Sequence, residues 1–134
     1  MNLLLLEDIK SHASLFEYAM EDLGWKNKIS IHWAKTKDEA VGMLEGEIDM
    51  MFVDYTLGNH SRETGADFCK IARQHRPDCA IIVLSSSEDP RIIEEVYQSG
   101  ANAFVHKFED FDDALDKLNA IFTYYTTYQS LQNA

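Results

Sequence analysis

Cysteine is scarce in this chain, and the two present, Cys69 and Cys79, have neither redox nor zinc-ligand spacing. Their pattern predicts reduced thiols in a cytoplasmic protein. Basic residues are also few, since 12 Lys and Arg stand against 23 Asp and Glu, for a net charge of -11. Nucleic-acid and anionic-membrane surfaces need clustered Lys and Arg, so any action on DNA would need a partner. Long apolar runs are missing too. The opening Leu3 to Leu6 run is far too short for a signal peptide or a membrane span, and charges follow at once. The histidines at 12, 32, 60, 75 and 106 form no H-x-x-x-H or comparable group, which argues against a histidine metal centre. Neither G-x-x-x-x-G-K-[ST] nor G-x-G-x-x-G occurs, which weakens the case for nucleotide binding.

What is present is a globular composition, 46% apolar and 26% charged over 134 residues. That length closes one core but not two, so a single domain spanning 1–134 is expected, without repeats or linkers. Apolar runs bounded by turn signals predict strands at Asn2 to Leu6, Ile29 to Ala34, Ile48 to Val53, Ala80 to Leu84 and Ala103 to His106. Helical spacing predicts helices over Ser11 to Leu23, from the Thr36-Lys37-Asp38-Glu39 capping signal to near Gly46, and around Phe68, Ile71 and Ala72. Two more are expected from Pro90 to a stop at Gly100, and from Phe111 to about Tyr125. Past Phe122 the tail can continue that helix, with Tyr125 and Tyr128 on one face. Five strands alternating with five helices predict an α/β, doubly wound parallel sheet with helices on both faces. The common order is 2-1-3-4-5, the flavodoxin-like arrangement.

In that order the first and third strands are neighbours, so Glu7, Asp8 and Asp54 are expected to leave adjacent strand ends into one crevice. Ser85 and Lys107 end the fourth and fifth strands on the same edge. Carboxylates also stop strands simply because solvent begins there, and a lone Lys or Ser at such a place is usually a surface residue or a cap. The convergence is what points to chemistry. Crowded carboxylates repel one another unless a cation intervenes, and Mg²⁺ usually takes one or two carboxylates and keeps several waters. Asp8 and Asp54 suit direct ligation, with Glu7 acting through water. A coordination position then remains for a phosphoryl oxygen. Asp54 is the candidate nucleophile, Lys107 the cation for developing charge, and Ser85 a hydroxyl donor to the transferred group.

These residues resemble the receiver domain of two-component response regulators over essentially the whole chain. The matching pieces are Leu4-Leu5-Leu6-Glu7-Asp8, Met51-Phe52-Val53-Asp54-Tyr55-Thr56-Leu57, Ile82-Val83-Leu84-Ser85-Ser86 and Gly100-Ala101-Asn102-Ala103-Phe104-Val105-His106-Lys107. The resemblance implies a phospho-accepting switch and not an enzyme: phosphate passes from a sensor histidine kinase or a histidine phosphotransfer protein to Asp54. It implies Mg²⁺ held by Asp8, Asp54 and the Thr56 backbone carbonyl, with Glu7 the first of the acidic pair. It also implies Ser85 as the switch hydroxyl and Phe104 as the aromatic that turns inward. The changed surface would be that of the fourth helix, fifth strand and fifth helix, read by a downstream protein or a second copy of the chain.

Three departures bear on those roles. Phe108 follows Lys107 where the family commonly has proline, so a trans bond is expected. Gly58 replaces the usual proline after the acceptor, in a loop to Gly65 that runs a few residues longer than typical. Phe104 lacks the hydroxyl of a common tyrosine. Two other classes of function compete: an interaction adaptor on the same fold that works without phosphorylation, and an enzyme or flavin protein on a flavodoxin-like scaffold.

Overall fold

The computed structural model describes residues 1–58 and 62–128. Strands β1 (Asn2–Leu6), β2 (Ser30–Ala34), β3 (Met50–Asp54), β4 (Ala80–Ser85) and β5 (Ala103–His106) alternate with five α-helices. The helices are α1 (Lys10–Asp22), α2 (Lys37–Met43), α3 (Gly65–His75), α4 (Pro90–Gln98) and α5 (Phe111–Thr123). All strand pairs are parallel, and the order is β2-β1-β3-β4-β5, as the alternation predicts.

The sheet separates two apolar layers. On one side Leu4, Leu6, Met51, Val53, Ile81 and Val83 meet Phe68, Ala72 and Val96 from α3 and α4. Alternate residues, Leu3, Leu5, Phe52 and Ile82 among them, face α1 and α5. β3 and β4 are buried along their whole length, which is why they read as unbroken apolar runs. Helix α1 buries Ala13, Phe16, Ala19 and Met20, one face at helical spacing. Phe16 meets Phe52 edge-on at 4.9 Å and Phe52 stacks near Phe122 at 5.8 Å, tying α1, β3 and α5 together. Such aromatic pairs add about 0.5–1.5 kcal/mol each beyond area burial.

Helix ends follow local chemistry, with two adjustments. Thr36 caps α2 by accepting the Glu39 N–H at 3.1 Å, but Glu39 returns its carboxylate to the Lys35 N–H at 2.9 Å, one residue earlier than a capping box requires. That helix ends at Met43, short of Gly46. After Thr123 the chain continues as a π-helical turn over Tyr124–Tyr128. There the Thr126 hydroxyl donates to the Phe122 carbonyl at 2.6 Å, a bond that competes with the regular backbone ladder. The helical continuation therefore exists but widens. Gly100, at φ 106°, closes α4 as expected.

Candidate functional site

β1 and β3 are neighbours and end at the same edge, so Glu7, Asp8 and Asp54 converge. Each offers a carboxylate oxygen, and these oxygens all lie within 4.8 Å of one another. Gly65, the first residue of α3, lets that helix start against the end of β3. A Cβ there would run into the Asp54 backbone carbonyl and come within 2.9 Å of a Val53 methyl. The Thr64 N–H donates to Asp67 Oδ2 at 2.9 Å, fixing the start of α3 in this position.

Lys107 reaches the acids. Its Nζ stands 2.9 Å from Asp54 Oδ2 and 3.5 Å from Glu7 Oε2, and its own N–H donates to the Ser85 carbonyl at 2.9 Å. There is no cis peptide bond among the described residues, so the Lys107–Phe108 bond is trans as expected. The Phe108 ring packs towards Phe16 at 6.5 Å, which seats the turn into α5 without proline. Gly58 has φ 100°, a value the proline ring cannot adopt, and its missing Cβ would lie 3.8 Å from Asp8 Oδ2. Of the longer loop, Asn59, His60 and Ser61 lie outside the described residues.

The electrostatics is that of crowded acids around one cation. Burial, then the charge of Asp54, push the Glu7 carboxyl up to about 8. Burial also raises Asp54, against the hydrogen bond and charge of Lys107. Burial works to lower Lys107, but Asp54 and Glu7 together override it and hold the ammonium above its ordinary value. Glu7 thus keeps a proton near neutrality when no metal is present. Asp8 Oδ1 is buried and has no hydrogen-bond partner among the described residues. Such an oxygen beside two other acids suits a hard cation, and the donor set fits Mg²⁺ or Ca²⁺. Asp8 and Asp54 open into a cleft of about 360 Å³ whose wall also includes Thr56, Ser86 and Lys107.

The remaining expected residues take particular places. Thr56 is exposed on the cleft wall and its N–H donates to Asp54 Oδ1 at 3.3 Å. Ser85 is buried, at 3% exposure, and its Oγ accepts the Ser87 N–H at 3.1 Å. Ser86, its neighbour, is the serine that lines the cleft. Phe104 is half-buried against the layer that contains α3 and α4. Three residues escaped the sequence reading. Trp33 Nε1 donates to the Glu7 carbonyl at 2.7 Å, His12 Nδ1 lies 3.5 Å from Glu7 Oε1, and the Tyr55 hydroxyl donates to Glu95 at 2.9 Å. Only the place of Tyr55 directly after the acceptor could have flagged one of them.

Among solved structures the chain is similar to a response regulator receiver domain from Rhodospirillum rubrum, at 19% identity over 95% of this chain and 94% of that one, with a TM-score of 0.79. It is similar to the phosphorylated cyanobacterial phytochrome response regulator RcpA, at 16% identity, 95% and 94% coverage and a TM-score of 0.81. A response regulator protein from Burkholderia pseudomallei, solved with a phosphorylated aspartic acid and a calcium ion, matches at 22% identity, 99% and 75% coverage and a TM-score of 0.71. No curated protein matches in sequence. No helix among the described residues is long and apolar enough to cross a membrane. The model of the response regulator receiver domain family matches residues 3–119, and the chain belongs to that family.

Proposed function

We propose that this chain is a Mg²⁺-dependent phosphorylation switch in which Asp54 takes a phosphoryl group from a phosphohistidine on a sensor histidine kinase or a histidine phosphotransfer protein. The carrying observation is the buried Asp54 carboxylate with Lys107 at 2.9 Å, next to an Asp8 oxygen that has no partner among the described residues. An Asp54 oxygen attacks phosphorus, the donor's N–P bond breaks and an O–P bond forms. The donor imidazole keeps the electron pair of the broken bond and takes a proton from solvent. Bound by Asp8, Asp54 and the Thr56 carbonyl, with Glu7 nearby, Mg²⁺ would supply charge neutralisation for the phosphoryl oxygens. Lys107 holds Asp54 in place and meets the charge that develops. Water later cleaves the acyl phosphate and returns the carboxylate.

Ser85 and Phe104 carry the change outward in this reading. To donate to the phosphoryl group, Ser85 must give up its present bond to the Ser87 N–H, and the loop into α4 must follow. Phe104 then packs inward, and the face of α4, β5 and α5 is remodelled for a downstream protein or a second copy of the chain. Such a switch acts in the cytoplasm, where its phosphodonors are.

The test is incubation with Mg²⁺ and acetyl phosphate followed by intact mass. The expected result is a gain of one phosphate, stable in acid and labile in base, absent from Asp54→Asn. No gain from either acetyl phosphate or a histidine phosphodonor would favour an adaptor that works unphosphorylated.

A further inference from the structure

Helix α4 is lightly anchored. Val96 is its one fully buried residue, with Ile92 packed at the edge of the same apolar layer. Its position rests instead on directed polar bonds. At the N-terminus, the Ser85 Oγ accepts the Ser87 N–H at 3.1 Å, the Ser87 Oγ accepts the Asp89 N–H at 3.2 Å, and Asp89 caps the helix through the Arg91 N–H at 2.9 Å. At the C-terminal end, the Phe104 N–H on β5 donates to the Tyr97 hydroxyl at 3.1 Å. In the middle, the Tyr55 hydroxyl donates to Glu95 Oε2 at 2.9 Å.

The last bond joins the helix to the residue that directly follows Asp54. Tyr55 has little freedom to follow a moving α4, because its N–H donates to the Leu84 carbonyl at 2.8 Å and its carbonyl accepts the Gly65 N–H at 2.7 Å. Both ends of the Tyr55–Glu95 bond are partly buried, where a hydrogen bond to a charged acceptor is stronger than at the surface. Burial, and then the Glu95 bond, push the phenol up to about 12.

We propose that the Tyr55–Glu95 bond is a latch that holds α4 in its resting position, and that phosphorylation of Asp54 releases it. The release rests on the phospho-acceptor reading given above. When Ser85 turns to the phosphoryl group, its bond to Ser87 is lost and the relay that ends at the Asp89 cap shifts. The N-terminus of α4 moves with it, while Tyr55 stays fixed by Leu84 and Gly65. The Tyr55–Glu95 bond is then the contact that must break, so it opposes the switch and sets how much of the chain rests with α4 in place.

Hydrogen exchange of the α4 amides tests this in the full chain. In unphosphorylated protein, Tyr55→Phe and Glu95→Leu should each speed α4 exchange roughly tenfold or more, the size expected for loss of one hydrogen bond to a charged group. The double variant should go no further than either single one, and Glu95→Gln, which keeps an acceptor but not its charge, should fall between the parent chain and Glu95→Leu. Phosphorylated parent chain should match unphosphorylated Tyr55→Phe. Additive single effects, equal effects of Glu95→Gln and Glu95→Leu, or unchanged α4 exchange would overturn the latch. Protected α4 amides in protein whose mass shows the phosphoryl group would overturn the release alone. A chain that never gains the phosphoryl mass would sink the phospho-acceptor reading and the release with it, while the unphosphorylated variants still decide whether the bond holds α4.

Discussion

The two ends of the sheet treat charge in opposite ways. At the end where β4 and β5 begin, the five N–H groups of the Arg73 guanidinium make six contacts, one of them shared, to the carbonyls of Arg76, Pro77 and Cys79, twice to that of Gly100, and to the Asn102 side chain. Every acceptor is held and the cation is fully used. At the end where β1 and β3 finish, three acids crowd together, two of them share one lysine, Glu7 keeps a proton, and a buried Asp8 oxygen has no partner among the described residues. Completed polar networks fix a fold, whereas incomplete ones store the capacity to bind. The position of a ligand site can thus be read from where satisfaction of polar groups fails.

Substitutions at the two ends should therefore differ in sign. The largest effect is expected for Arg73→Ala, which strips the donor from the part-buried bonds to the Cys79 and Gly100 carbonyls at once. It should lose about 3–5 kcal/mol in urea unfolding, since each stranded acceptor costs about 1–3 kcal/mol. A gain, or no change, would remove the contrast between the ends. Next, Glu7→Gln should stabilise metal-free protein at pH 9, on the order of 2 kcal/mol, by removing a carboxylate that folding forces beside Asp54.

The pH dependence carries the same sign. Glu7 binds its proton more tightly folded, up to about 8, than its ordinary 4.5. Its contribution is complete below the ordinary value and is lost as pH rises through about 8. The melting temperature of metal-free protein should fall over that window, and the fall should be shallower in Glu7→Gln. A flat profile in the parent chain would contradict the crowded-acid picture. The smallest effect concerns the ion. Millimolar Mg²⁺ should raise stability by about 1–2 kcal/mol at pH 8 through mass action, and Asp8→Ala should abolish the gain. Equal stabilisation in both would place the ion elsewhere.

Much of this was legible beforehand because it depends on local pattern. The apolar runs of β3 and β4, the spacing of Phe16, Ala19 and Met20, and Gly100 after α4 each report their own conformation. The shared edge of Glu7, Asp8 and Asp54 followed from strand order alone. What stayed hidden are contacts whose partners lie far apart in sequence, such as Tyr55 with Glu95 or Trp33 with Glu7. They depend on how helices and an edge strand settle on the sheet, and no periodicity encodes that. Phe108 shows the same limit. Its ring finds room towards Phe16, so losing proline leaves Lys107 within reach of Asp54, an outcome set by packing across α1.

The indole of Trp33 donates to the carbonyl of the first acid in the trio, at 2.7 Å, while the other tryptophan, Trp25, sits beside Phe122 with ring centres 5.7 Å apart. Both rings pack against the layer that faces α1 and α5, but only Trp33 is bonded to the acidic end. A change of charge or position at the carboxylates should therefore reach the emission of Trp33 directly, which makes the acidic end of the sheet open to optical observation without a label.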